Sequence, residues 1–236
     1  DAKFFSEVVR SLPESDVIIE TDNNFKTVIS CEKSIINIVA KSGDDFSRIP
    51  YIEKNEAIVM SQFTLKEVIK QTIFSISDND NNKLMTGELF EINENKLRVV
   101  SLDGHRISIR HIEMKNNYPY KKVVVPGKTL QEISKIIPGS VDEDVFIYIT
   151  NNHILFEFNN TIVVSRLIEG EYFKIDQMLS SDYETKVKIN KKNLLDCINR
   201  STLLVKEGDK KPIIMNITDE NMEVKITSFV GTMKED

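Results

Sequence analysis

This chain of 236 residues lacks long apolar runs and most of the residue patterns on which familiar chemistries depend. No stretch approaches the roughly 18 consecutive apolar residues of a membrane helix, and Asp1-Ala2-Lys3 opens no signal peptide. Cysteine is scarce: Cys31 and Cys197 lie far apart, which excludes a disulfide framework and reads as two reduced, structural thiols in a cytoplasmic protein. Eight glycines include no GxxxxGK and no GxGxxG, so a Gly-rich phosphate cradle is excluded. Three histidines, His105, His111 and His153, are too scattered for a metal site, and no cofactor is expected. An initiating Met is also missing, which points to a fragment or a processed product. What is present is 40% apolar residues, with 31 Lys+Arg against 37 Asp+Glu and a net charge of −6. Both signs are interspersed with Ile, Val, Leu and Phe, which excludes a disordered or acidic low-complexity chain. The length allows one large domain or about two ordinary ones.

Internal repetition organises the chain. Lys3–Pro13 matches Lys128–Pro138 at an offset of 125 residues, and Asp16–Ile19 matches Asp144–Ile147 at 128. Gly43–Ile49 then pairs with Gly170–Ile175, and Ser61–Ile69 aligns with Asn190–Ile198 at 129. Collinear matches at nearly one offset define a repeated unit. The chain then holds the second half of one unit (1–52), a whole unit (53–182) and the first half of a third (183–236).

Each half-unit reads as a short strand, an amphipathic helix and three strands. Strands at Ala57–Met60 and Thr185–Ile189 lead into helices, and Leu65, Val68, Ile69, Thr72, Ile73 and Ile76 fall at helical spacing across Thr64–Ser77. Asn193 is a candidate N-cap. Strands are expected at Lys96–Ser101, Val145–Thr150, Ile154–Phe158, Thr161–Ser165 and Glu223–Ser228, with hairpin turns at Asn93–Lys96 and Asp219–Asn221. The class is α+β, with antiparallel sheets and one helix per half-unit.

The polar faces of these helices are basic. Lys3 and Arg10 are seven apart, as are Lys128 and Lys135, while Lys66 and Lys70 are four apart; each pair returns to one helical face. For a single helix, a solvated face with snorkelling lysines is sufficient. Cationic faces recurring in an acidic chain also fit contact with phosphates without sequence readout, and the lack of interleaved aromatics argues against base stacking. Ser101–Ser108 is the second distinctive stretch, with the turn signal Asp103-Gly104 at a strand end. An enzyme built on Asp103 and His105 lacks a second carboxylate and a base–orienter pair; a packed loop and a binding cleft both fit. Ser34–Val39 is apolar on both faces, as either a strand buried in its own unit or an intermolecular edge would be.

Leu102-Asp103-Gly104-His105-Arg106, Val124–Leu130 and Ser165–Gly170 closely resemble three signature stretches of the bacterial DNA sliding clamps, the beta subunits of DNA polymerase III. Ala2–Phe5 and Leu84–Gly87 fit as well, and the similarity runs through the whole chain. The resemblance implies clamp-type domains made of βαβββ half-units, with helices lining a channel and antiparallel sheets outside. It implies a DNA polymerase processivity factor without catalytic activity that encircles double-stranded DNA as a homodimer. Its partners would be the replicative polymerase, the clamp loader, repair polymerases and other clamp-motif proteins; a non-encircling peptide-binding scaffold is the alternative. Carried over by position, the channel residues are Lys3, Arg10, Lys66, Lys70, Lys128 and Lys135, with Asn79 and Asn82 on the loop Asp78–Lys83. The partner-peptide groove takes Met85, Leu102, Gly104, His105, Arg106, Ile107, Phe173, Gln177 and Met178. Phe173 stands where the family usually has Pro, Gln177 at a frequently basic position and Met178 at an aliphatic one. Dimer contacts would fall at Ile36, Ile38, Leu203 and Leu204.

Overall fold

The computed structural model describes residues 1–46, 48, 50–79, 81–179, 182–205, 212–218, 221–227 and 232–235. Asp80, the expected turn residues Asp219 and Glu220, and Ser228 at the end of an expected strand lie outside the described residues. The chain forms two compact units, Asp1–Tyr172 and Phe173–Asp236.

In the first unit, Asp1 caps helix α1 (Ala2–Ser11) by accepting from the Phe4 N–H at 2.9 Å. Strands β1 (Ile18–Thr21), β2 (Lys26–Cys31) and β3 (Ser34–Val39) follow as an antiparallel meander. On β2 the residues Thr27, Ile29 and Cys31 are buried in alternation, the period-2 mark of a sheet with one covered face. Strand β4 (Ile58–Ser61) ends in Ser61, which caps α2 (Gln62–Thr72) by accepting from Thr64 N–H. The α-helix ends at Thr72, five residues short of the expected Ser77, and a 3-10 turn, Ile73–Ser75, continues it. After β5 (Gly87–Leu102), β6 (Ile107–Pro126) and α3 (Gly127–Ile136) comes a second meander, β7 (Asp144–Ile149), β8 (His153–Phe158) and β9 (Thr161–Arg166). Strand β4 joins this meander at its first edge, in the order β4-β7-β8-β9.

Strands β5 and β6 pair from Gly87↔Pro126 to Leu102↔Ile107, with register shifts on both sides of Glu94. An unbroken strand would hold Glu91 and Arg98 about 23 Å apart at roughly 3.3 Å per residue. They form an ion pair at 2.6 Å, and Glu94 has φ 54°, so the chain folds back there. The turn expected at Asn93–Lys96 is this reversal. Leu65, Val68 and Ile69 of α2 and Leu130 and Ile133 of α3 meet Phe90, Val125, Val145 and Phe156 in one core.

The second unit contains the single turn α4 (Ile175–Met178), helix α5 (Lys191–Thr202) and a third meander, β10 (Ile214–Ile217), β11 (Met222–Thr227) and β12 (Thr232–Glu235). Two local expectations are corrected. The cap of α5 is Asn190, whose side chain accepts from Lys192 and Asn193 N–H groups, so Asn193 lies inside the helix. Thr185–Ile189 forms no strand: its residues are exposed and pair with no described strand. A helix followed by an antiparallel three-stranded meander thus occurs three times among the described residues.

Candidate functional site

The helices place most of their expected cations in solvent. Lys3 and Arg10 on α1, Lys70 on α2 and Lys128 and Lys135 on α3 are all exposed. Lys70 lies 3.6 Å from Glu67 and Lys135 2.8 Å from Glu132, exposed i,i+3 pairs that hold these side chains only weakly. Lys66 departs from the expected face. It is half-buried, and its ammonium donates to the Ile137 carbonyl at 2.9 Å, at the C-terminal end of α3. Its stem lies against Gly139, where an added Cβ would come within 2.9 Å of Lys66 Cδ. A cation at a helix C-terminus offsets the carbonyl dipoles there. Lys66 therefore ties α2 to α3 and has its charge already engaged.

Asn79 and Asn82 are exposed, and each uses its side-chain oxygen locally. Asn79 Oδ1 accepts from Asn81 N–H at 3.0 Å, and Asn82 Oδ1 accepts from Leu84 N–H at 3.1 Å to cap the turn Lys83–Thr86. These are Asx turns that shape the loop.

The stretch between β5 and β6 is a tight turn built on one carboxylate. Asp103 Oδ1 accepts from the His105 and Arg106 N–H groups at 3.0 and 3.1 Å, while Oδ2 accepts from Arg106 Nε at 2.9 Å. The His105 N–H, then the Arg106 N–H and guanidinium, hold the Asp103 carboxyl below its ordinary range. Gly104 has φ 89°, a conformation that a side chain would strain. Both oxygens of Asp103 are thus engaged in shaping the turn. Among the described residues no group of three or more His, Cys, Asp or Glu could hold a metal ion.

Around this turn Gly104, His105 and Arg106 are exposed and Met85 and Ile107 half-buried. Leu102 is a correction: it is 0% exposed, so it is part of the interior and offers no surface to a peptide. Its place beside a turn suggested a rim position, but on β5 it continues the buried end of the strand. The structure adds Phe74, exposed on the 3-10 turn, with the Arg106 guanidinium 5.9 Å from its ring centroid. Two hydroxyl contacts bind the base of the turn to the end of α2: Ser101 Oγ donates to the Thr72 carbonyl, and Ser75 and Ser108 share a hydrogen bond of 2.7 Å. Thr72 and Ser75, polar residues inside an apolar helical stripe, were the sequence signal for this anchor.

Phe173 is half-buried and Gln177 and Met178 exposed, all in the second unit. Ile36 and Ile38 are half-buried on β3, an outer strand of its sheet, where Val39 is 84% exposed. Leu203, 81% exposed, and half-buried Leu204 follow α5 in the second unit.

Repeated helix–meander modules with exposed cations on the helices, and a turn beside an apolar rim, define an α+β binding protein built by duplication. A family model described as the DNA polymerase III beta subunit, central domain, matches residues 59–174. The beta sliding clamp of Staphylococcus epidermidis is 32% identical over 235 residues, 99% of this chain and 62% of that protein. Among solved structures, a putative DNA polymerase III beta subunit from Eubacterium rectale superposes with a TM-score of 0.92 at 81% identity, over 100% of this chain and 64% of that one. The Bacillus subtilis sliding clamp gives 0.89 at 31% identity, over 99% and 62%. The chain belongs to the bacterial DNA polymerase III beta subunits, the sliding clamps, and spans about 62% of the length of the curated relatives it matches.

Proposed function

We propose that this chain is the central part of a processivity clamp that encircles duplex DNA and tethers the replicative polymerase. The observation that carries this reading is the recurrence of one helix–meander module, with exposed cations on its helices, in a chain of net charge −6. Cations held at the ends of long side chains neutralise phosphates without reading bases, which permits sliding. In this reading residues 1–52, 53–182 and 183–236 belong to three successive clamp domains, and Lys3, Arg10, Lys70, Lys128 and Lys135 face the DNA. Asn79 and Asn82 lie on the adjoining loop. Met85, Gly104, His105, Arg106 and Ile107 belong to the groove that takes short motifs from polymerases, the clamp loader and repair proteins, and the resemblance assigns Phe173, Gln177 and Met178 of the second unit to the same role. Ile36 and Ile38 of one protomer meet the Leu203–Leu204 region of its partner in a homodimer. The role is non-catalytic, needs no cofactor and belongs to the cytoplasm; among the described residues no helix is long and apolar enough to cross a membrane.

The test is charge reversal in the full-length protein. Replacing Lys3, Lys70 and Lys128 together with Glu should reduce retention on DNA and flatten its salt dependence while the fold survives. Each phosphate contact removed lowers the slope of log affinity against log salt by about 0.9. An unchanged slope would move the DNA contact elsewhere, as a peptide-binding scaffold that never encircles DNA requires.

A further inference from the structure

Glu88 is a buried carboxyl that the proposed function does not use. It lies on β5 opposite Val125, is 0% exposed, and neither of its oxygens has a hydrogen-bond partner among the described residues. The Thr72 hydroxyl, at the end of α2, lies close enough to act on it. Thr72 donates its only proton to the Val68 carbonyl at 2.8 Å, and Ser101, which also converges on Thr72, donates its own to the Thr72 carbonyl. Thr72 Oγ1 can therefore accept a hydrogen bond from Glu88 but cannot give one. That chemistry suits a carboxylic acid and leaves a carboxylate without a donor. Val125, Thr72 and Ser101 carry no charge, and the titratable group coupled to Glu88 among the described residues is the buried Tyr172 phenol, each opposing the other's ionisation. Asp103, His105 and Arg106 lie beyond Ser101 on the turn itself, half-buried or exposed.

We propose that Glu88 is a proton-linked latch: it is held as the neutral acid in the closed layer between α2 and the base of the Ser101–Ser108 turn, and loses its proton when that layer opens. The latch does not depend on the clamp reading. Only its consequence for partner binding does, since opening would loosen the turn that carries the groove residues Gly104, His105 and Arg106. Burial pushes the Glu88 carboxyl from its ordinary 4.5 up to about 8. Opening is then favoured by rising pH between those two values and levels off above them.

Two measurements on the full-length protein test this. With glutamate alone labelled with carbon-13, the infrared spectrum at pH 7 should show an isotope-shifted carboxylic acid band, lost by about pH 10 and absent in Glu88→Gln. Hydrogen exchange of the amides in 101–108, corrected for intrinsic rates, should accelerate by up to about tenfold per pH unit from pH 5 to 8 in the wild type and stay flat in Glu88→Gln. Absence of the acid band at pH 7 overturns the proposal even if the variant fails to fold. Equal exchange slopes in a folded variant overturn it too.

Discussion

Lys66 and Lys70 share a helical face by spacing, yet the fold gives them different work. Lys66→Met keeps the stem against Gly139 and loses the bond to Ile137, so it should cost about 1 kcal/mol of stability and leave the salt slope of DNA binding unchanged. Lys70→Met should do the reverse, within about 0.5 kcal/mol in stability but with a shallower slope. Chemical denaturation paired with a salt titration separates the two. Leu102→Ala removes a fully buried side chain and should cost about 2–5 kcal/mol of folding free energy, read from the denaturation midpoint. Ile107→Ala, half-buried at the rim, should cost less stability and show its effect in the titration of a clamp-motif peptide. Glu88 adds a pH dependence. Its folded value lies above its ordinary one, so its contribution to stability is greatest below about pH 4.5 and falls until about 8. Across that window the melting temperature of Glu88→Gln should gain on that of the wild type by the equivalent of a few kcal/mol, and parallel curves would contradict the burial argument.

At the scale of elements, periodicity and turn chemistry were enough to find the helices, the meanders and the Asp103-Gly104 turn. These features depend on neighbours a few residues away. The reversal at Glu94 was legible for the same reason, since Asn93–Lys96 is rich in turn residues. What escaped depends on distant partners. Lys66 finds its acceptor 71 residues away, Ser75 meets Ser108 across 33, and the burial of Leu102 is decided by tertiary packing. The cap of α5 was misplaced by three residues because two Asn residues compete and only the geometry at Asn190 shows which one turns the chain. Phe74 was read as part of a helix, while the 3-10 turn exposes it beside Arg106. Losing both Ser75 and Ser108 hydroxyls should loosen the turn, leaving Ser101 on the Thr72 carbonyl as its remaining hydroxyl anchor. A Ser75→Ala and Ser108→Ala pair should therefore raise exchange of the 103–106 amides more than either change raises it elsewhere in β5.

At the scale of the whole molecule, the account rests on closure of a ring, which the repeat and the cationic helices do not by themselves supply. The exposed apolar edge at β3 and the exposed Leu203 are the surfaces that closure would cover. Ile38→Lys in the full-length protein should split the dimer in sedimentation while leaving each protomer folded. The most direct test of the central claim is topological. Full-length protein is loaded onto a closed circular duplex by its clamp loader, separated from free protein by gel filtration, and the DNA is then cut once with a restriction enzyme. The account predicts that the protein co-elutes with the circle and leaves after linearisation, by sliding off the ends. Retention that is the same on circular and linear DNA would mean that the protein binds the duplex without encircling it, and would contradict the account.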